Sequence, residues 1–416
     1  MGSWCDRYYR SEREDQPLTE RPEREPVVDW TVDFDHFDPA FVADPYPIFD
    51  EMRETCPVVH TDRYGGANVP LSFEDISAVA HDTETFSSRR VNMSEIPTSR
   101  RGAVLPPINL DPPDQTAPRR MMLPFFNLEN TKKWEQTIRD LCEARLDALE
   151  SRTECDLALD YARHIPGDLT AVMFGVPPSE ADQFRHWIHL LLEVGPIDAE
   201  VERGTTRTML AYMQGLIDDR RANGGSDLVT YLMAQEIDGE PMDDVGLTKM
   251  LFLLLIAGID TTWSGIGSSF LHLATHPDDR RRLIAEPELI PNAVEEFLRA
   301  YSPVYVARVA TTDTEIAGCP VAEGDWVMLT YPAANRDPEA FENPHEVKID
   351  RQQNRHAAFG LGVHRCLGSN LARLEMNIAI EMFLARYPEF ELTDPAAVTF
   401  SAGNVRGPRS VPVRLG

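Results

Sequence analysis

The chain of 416 residues has few cysteines, and they follow no regular spacing. They occur at positions 5, 56, 142, 155, 319 and 366, with no Cys-x-x-Cys pair among them. This arrangement argues against a disulfide framework and a zinc ribbon, and it is typical of a protein kept in the reducing cytoplasm.

Basic residues and long apolar runs are also scarce. There are 40 Lys and Arg against 68 Asp and Glu, which gives a formal net charge of −28 and excludes nucleic acid and anionic membrane surfaces as expected partners. The longest apolar run, Met250 to Ile259, is far short of the roughly twenty residues that a membrane span requires, so no membrane association is expected. No Gly-x-Gly-x-x-Gly or phosphate-loop sequence is present, which argues against a built-in flavin or nicotinamide domain.

Composition along the chain predicts one large domain preceded by a short arm. Residues 1–28 form the predicted flexible N-terminal arm, because this stretch is rich in charge and proline and has no apolar core. Residues 29–416 show no Pro/Gly/Ser linker, and a hydrophobic content of 42% supplies a sizeable core. Helical patterns far outnumber strand patterns, so the fold is predicted to be mainly α.

The most informative segment is Phe359-Gly-Leu-Gly-Val-His-Arg-Cys-Leu-Gly368. It places Cys366 directly before a long predicted helix, whose N-terminal N–H groups stabilise an anion such as a thiolate. Gly360 and Gly362 permit a tight turn, and Phe359 would shield the sulfur from water. A buried structural cysteine is the alternative for a lone Cys, but the complete pattern favours an axial ligand to haem iron.

In this pattern the chain resembles the cytochrome P450 family. The resemblance implies a single haem-binding domain, mainly α with small antiparallel β-sheets, that carries haem b (iron protoporphyrin IX). It implies that Cys366 is the metal ligand and that Phe359 and Gly368 contact the cofactor.

A second pattern, Ala257-Gly-Ile-Asp-Thr-Thr262, ends a run that is apolar all round. Because a buried charge is costly unless it is paired or needed, Asp260 is a functional candidate; the alternative is a helix that reaches the surface there. The resemblance implies that Ala257 and Gly258 lie over the haem, and that the catalytic residues Asp260 and Thr261 deliver protons to dioxygen.

Further cofactor contacts are implied by the same resemblance. Gln115, Arg119, Arg308 and His364 match positions that hold the haem propionates, although many family members have His where this chain has Gln115. The pattern Glu296-x-x-Arg299 with Arg351 is typical of the family's structural ion network, so these three residues are assigned to the scaffold.

The predicted activity is that of a monooxygenase that hydroxylates or dealkylates a largely apolar small molecule. With no reductase domain in view, electrons are expected from a separate ferredoxin-type iron-sulfur protein and its NAD(P)H reductase, docking on a basic patch near Cys366. Segments 87–109, 192–196, 304–306 and 401–406 are expected to wall the substrate pocket, where loop arginines 89, 90, 100 and 101 either bind a carboxylate or are solvated. Rival hypotheses are a peroxygenase or isomerase, a haem sensor or carrier, and a cysteine hydrolase.

Overall fold

The computed structural model describes residues 25–93, 104–237 and 239–416. Most of the predicted arm, residues 1–24, and the loop residues Ile96, Arg100 and Arg101 lie outside the described residues. The end of the predicted arm is described, and there the Val27 N–H donates a hydrogen bond of 2.8 Å to the Asp38 carboxylate.

Helices dominate the described chain, as predicted. The α-helices are α1 Pro39–Ala43, α2 Tyr46–Thr55, α3 Phe73–His81, α4 Thr116–Met122, α5 Leu128–Thr131, α6 Glu135–Asp147, α7 His164–Met173, α8 Ala181–His189, α9 Ala199–Asn223, α10 Leu228–Met233, α11 Asp244–Thr275, α12 Pro277–Ala285, α13 Ile290–Ala300, α14 Tyr331–Ala334 and α15 Ser369–Arg386. Two π-helical turns, Leu157–Ala162 and Leu190–Val194, adjoin α7 and α8.

The strands are short and form small sheets. They are β1 Val58–Thr61, β2 Ala67–Pro70, β3 Phe86–Ser87, β4 Glu154–Asp156, β5 Glu236–Ile237, β6 Glu240–Pro241, β7 Tyr305–Ala310, β8 Thr314–Ile316, β9 Cys319–Val321, β10 Trp326–Thr330, β11 Phe390–Leu392, β12 Thr399–Phe400, β13 Pro408–Ser410 and β14 Pro412–Leu415. The largest sheet has the order β1-β2-β10-β7-β3. Its β2–β10 pair is parallel, whereas only antiparallel sheets were predicted; a parallel pair requires a long crossover, which the intervening helices supply.

Helix α11 crosses the centre of the molecule and positions the site. It begins where the Asp243 carboxylate accepts the N–H of Gly246 at 2.7 Å, and it packs against α7, α9 and α15. Most of its own side chains are apolar and they project from all sides of the helix, which explains its burial. Within the described residues it is the one helix long and apolar enough to cross a membrane. Half of that stretch is buried, and a buried core helix can have the same length and composition.

Candidate active site

The segment before α15 is a tight loop shaped by glycine. Gly360 and Gly362 have φ angles of +72° and +66°, which favour residues without a side chain. A Cβ at Gly362 would also collide with the carbonyl oxygen of Ala80 on α3. The loop closes where the Cys366 N–H donates a hydrogen bond of 2.7 Å to the Phe359 carbonyl, so the predicted turn is confirmed at both glycines.

The Cys366 side chain faces open space although protein surrounds it. Its exposed surface lines two cavities, one inside the molecule and one beneath the loop. Burial raises the pKa of the Cys366 thiol, while the Gly368 N–H and the guanidinium groups of Arg119, Arg365 and Arg373 oppose that effect. The sulfur therefore lies near a hydrogen-bond donor and three positively charged groups, and such surroundings favour a thiolate ligand.

The opposite wall of the inner cavity is formed by α11. Ala257 and Gly258 are exposed in the middle of this otherwise buried helix because the cavity lies over them. Thr261 also lines the cavity, and its Oγ1 donates a hydrogen bond of 2.9 Å to the Ala257 carbonyl oxygen. Ala257, Gly258 and the Thr261 hydroxyl thus line the same cavity as Cys366.

The inner cavity measures about 540 Å³ and has mainly apolar walls. The predicted wall segments contribute to it, as do residues from α7, α9 and α10 that sequence reasoning did not name. Contributors from the predicted segments include Arg89, Arg90, Met93, Leu105, Leu192, Pro196, Val304, Tyr305, Val306, Asn404 and Val405. Arg90 lies with its guanidinium carbon 4.7 Å from the centre of the Trp326 ring, and Arg89 is exposed.

Two guanidinium groups and one imidazole, none in contact with a carboxylate among the described residues, cluster at one side of this cavity. Arg308 on β7 is only 3% exposed, and its one hydrogen bond among the described residues runs from Nη1 to the Ala307 carbonyl. Arg119 likewise pairs with a carbonyl, that of Arg365. Burial and the nearby Arg308 and Arg119 lower the pKa of His364 to about 4, and its buried Nε2 has no hydrogen-bond partner in the part of the chain that the structure describes. These groups can hold an anionic ligand.

Gln115 takes a different place from these three residues. It is buried, and its amide nitrogen donates a hydrogen bond of 2.8 Å to the Val363 carbonyl of the loop. The structure includes Arg119 but not Gln115 in the cavity wall. Gln115 therefore supports the loop that carries Cys366.

Asp260 points away from the cavity into a buried ion cluster that the sequence did not reveal. Its Oδ1 accepts a hydrogen bond of 2.7 Å from Nη2 of Arg409, whose Nε lies 2.8 Å from Glu193. The Arg409 guanidinium also stacks 4.2 Å above the Trp263 ring. Burial raises the pKa of Asp260 even though Arg409 opposes the shift, and no described residue forms a hydrogen bond with the Asp260 Oδ2.

The predicted scaffold network is confirmed behind the loop. Glu296 and Arg299 on α13 are fully buried and pair at 2.8 Å, and Arg351 Nε lies 3.0 Å from the second Glu296 oxygen. The remaining guanidinium N–H groups donate to backbone carbonyls, including those of Asn335 and Pro344. The network thus fixes the segment that leads to Cys366.

Similarity to known proteins agrees with this geometry. Residues 203–396 match the family model described as Cytochrome P450. The chain is 33% identical over 357 residues to the putative cytochrome P450 YjiB of Bacillus subtilis (strain 168), covering 83% of this chain and 88% of that protein. It is 31% identical over 378 residues to the mycinamicin IV hydroxylase/epoxidase of Micromonospora griseorubida, covering 88% and 94%. The crystal structure of the bacillaene polyketide synthase cytochrome P450 PksS from Bacillus subtilis 168 matches with a TM-score of 0.85 and 30% identity, covering 92% of this chain and 100% of that one.

The chain therefore belongs to the cytochrome P450 family. It is an oxidoreductase of the monooxygenase type, and its cofactor is haem b. Bacterial members consume dioxygen and receive electrons from a redox partner. The residues present fit this cofactor, because Cys366 lines the same cavity as the small residues of α11, and the buried Arg308 and half-buried Arg119 contact no carboxylate among the described residues.

Proposed function

We propose that the protein hydroxylates or dealkylates a largely apolar small molecule in the cytoplasm, using dioxygen and electrons from a separate ferredoxin-type protein. The observation that carries the proposal is that Cys366 and Thr261 line one cavity. A thiolate ligand favours cleavage of the O–O bond, and a hydroxyl group passes protons to the oxygen being released. The mycinamicin IV relative is named for hydroxylation and epoxidation, which supports oxygen insertion as the reaction.

The cofactor contacts follow from the cavity walls. Cys366 is the metal ligand, with Phe359 and Gly368 sheltering its sulfur, and Ala257 and Gly258 leave room on the opposite side. Arg119, Arg308 and His364 bind the propionates, and Gln115 holds the ligand loop from behind. When bound, the haem supplies the site where dioxygen is reduced and activated.

Proton delivery is the role of Asp260 and Thr261, which are adjacent on α11. Thr261 reaches the cavity, whereas Asp260 lies behind it against Arg409. Asp260 holds a proton at Oδ2, which has no hydrogen-bond partner among the described residues, and Thr261 presents its hydroxyl group to the cavity. Asp260→Asn should slow turnover by about a hundredfold, since general acid catalysis contributes about 10²- to 10⁴-fold.

The electron donor is proposed to dock beneath the ligand loop. A cavity there is lined by Cys366, Arg365 and the exposed side chains of Leu123 and Leu128. Arg120, Lys132 and Lys133 are exposed on the preceding segments, so an acidic partner would meet positive charge around an apolar centre. Arg373 is basic and also lies near Cys366, but it is paired with Glu295 and stacks 4.4 Å from the Phe359 ring centre, so it is not available for docking.

The decisive experiment is a carbon monoxide difference spectrum of the reduced holoprotein, followed by turnover with a ferredoxin, its reductase and NAD(P)H. We expect the thiolate signature in the wild type and its loss in Cys366→Ala. NAD(P)H-driven product formation supports the monooxygenase, whereas product formed only with added peroxide supports a peroxygenase. A normal spectrum with no turnover under either condition supports a sensor or carrier and contradicts the proposal.

A further inference from the structure

One carboxylate lines the cavity on the side of α9. Glu202 and Thr206 stand one turn apart on this helix, and both face the cavity together with Leu191, Leu192 and Pro196. The position is close to the chain that precedes α9, because a Cβ built on Gly195 would lie 3.3 Å from the Glu202 Cβ. Glu202 is half-buried at this wall of the cavity.

Glu202 has no hydrogen bond or ion pair with any residue that the structure describes. Other acids of α9 are satisfied or exposed: Asp219 pairs with Arg220, and Glu200 lies in solvent. Burial raises the pKa of Glu202, and Arg203 offsets this only in part. A carboxylate left without a partner beside apolar walls carries a desolvation cost that a cationic ligand would remove.

The other charges in the cavity wall have different assignments. Arg119 and Arg308 face the propionates in the proposed function, and Arg90 stacks on Trp326. Glu375 also lines the cavity, but it lies on α15, the helix that follows Cys366, and burial raises its pKa well above the usual range. Glu202 is therefore the carboxylate that remains for a substrate on the α9 side of the space.

We propose that Glu202, with Thr206 beside it, binds a cationic amine on the substrate, so that the substrate class is an apolar molecule carrying an ammonium group. The inference rests on the proposed function, because it concerns the ligand of the same cavity. A carboxylate and an ammonium group form a charge-assisted hydrogen bond or ion pair, which is stronger in a partly dry cavity than at the surface. The apolar walls would hold the rest of the molecule.

The test uses the haem-loaded full-length protein and three ligands with the same ten-carbon chain. These are decyltrimethylammonium, 1-decanol and decanoate; the quaternary nitrogen has no lone pair and cannot bind iron. Binding is measured by equilibrium dialysis and by the optical spin-state shift at constant ionic strength. The wild type should bind the ammonium ligand about tenfold or more tightly than the alcohol.

Glu202→Gln should remove that preference and leave 1-decanol binding unchanged. Glu200→Gln is the matched control, because this acid lies on the same helix outside the cavity and its loss should change nothing. Equal affinity of the wild type for the ammonium and alcohol ligands, no binding of the ammonium ligand, or an unchanged preference in Glu202→Gln would each overturn the inference. Tightest binding of decanoate would also overturn it and would point to Arg89 and Arg90 instead.

Failure of this inference can be told apart from failure of the proposed function. A normal carbon monoxide spectrum and turnover without any preference for the ammonium ligand refute only the role of Glu202. Loss of the thiolate spectrum in the wild type refutes the proposed function itself.

Discussion

Two buried ion clusters, one around Glu296 on α13 and one around Arg409 beside α11, differ in how completely their polar atoms are satisfied. In the scaffold cluster both Glu296 oxygens accept several hydrogen bonds, and the guanidinium groups of Arg299 and Arg351 donate to backbone carbonyls. In the distal cluster Arg409 joins Asp260 to Glu193, and within residues 25–93, 104–237 and 239–416 the Asp260 Oδ2 has no hydrogen-bond partner.

The difference indicates two uses of buried charge. A saturated cluster has one arrangement, since any movement breaks several hydrogen bonds at once, and it suits a fixed scaffold. A cluster with a free oxygen can exchange partners or hold a proton, which suits a catalytic acid. The position of Glu193 on the π-helical turn Leu190–Val194, which also brings Leu191 and Leu192 to the cavity wall, fits the second use.

The largest effect is expected from breaking the scaffold cluster. Glu296→Ala leaves two buried guanidinium groups without their carboxylate, which should lower the free energy of unfolding by about 3–5 kcal/mol and prevent haem incorporation. Urea unfolding and the yield of holoprotein measure both effects. Glu288→Ala, at an exposed site near the start of the same helix, is the control, and wild-type stability in Glu296→Ala would contradict the scaffold role.

Breaking the distal cluster should cost less and should depend on pH. Against the opposing effect of burial, hydrogen bonds from His189 and Arg409 lower the pKa of Glu193 to about 2, so its stabilising contribution is present above the usual pKa near 4.5 and is lost as pH falls towards 2. Asp260 has the opposite sign, because its raised pKa makes its contribution greatest at low pH and lost as pH rises through its folded pKa. Arg409 is therefore needed most at neutral pH, where Glu193 is ionised and Asp260 loses its proton most readily.

Arg409→Gln should accordingly lower the free energy of unfolding by about 3 kcal/mol at neutral pH, with a smaller deficit as the solution is acidified below about 4.5. Chemical unfolding at several pH values measures this difference. Arg414→Gln is the control, because that residue is exposed and its ion pairs are 3.5 Å long. A deficit that grows on acidification would contradict the assignment.

The comparison is sharpened by a change that removes proton delivery and leaves both clusters intact. Thr261→Ala should preserve folding and haem binding while about tenfold less product forms per NAD(P)H, with hydrogen peroxide released instead. Product, peroxide and NAD(P)H are measured together. Thr261→Ser retains the hydroxyl and should recover most of the coupling, and unchanged coupling in Thr261→Ala would rule out the proposed role.

The smallest effect is expected from charge at the surface, where solvent screens it. Arg365→Glu or Lys133→Glu should slow reduction by a ferredoxin-type donor by about threefold to tenfold at low salt, and the difference should shrink as salt is added. Stopped-flow reduction measures the rate. Arg207→Glu, at an exposed site on α9, makes the same charge change elsewhere, and an equal loss in that variant would argue against a specific docking surface.

The sequence predicts a cluster well when its members lie close together along the chain, and poorly when they lie far apart. Glu296 and Arg299 lie three residues apart, and the loop around Cys366 is continuous, so local patterns identify both. Arg409 is 149 residues from Asp260 and belongs to no motif, and only the packing of β13 against α11 brings the two together. The same reason hides the contact of Glu202 with the cavity and the hydrogen bond from the Gln115 amide to the Val363 carbonyl, 248 residues away.

The fit of Gly362 against Ala80 has a consequence for how the molecule is assembled. The loop that carries Cys366 packs against the carbonyl group of Ala80, in the first quarter of the chain. Helix α3, which contains Ala80, is synthesised long before the loop. A fragment beginning at residue 203, although it would contain the whole region matched by the family model, would lack the surface to which this loop is fitted. The position of the Cys366 sulfur therefore depends on contact between two segments that lie far apart in the chain, and it is established only after they have met.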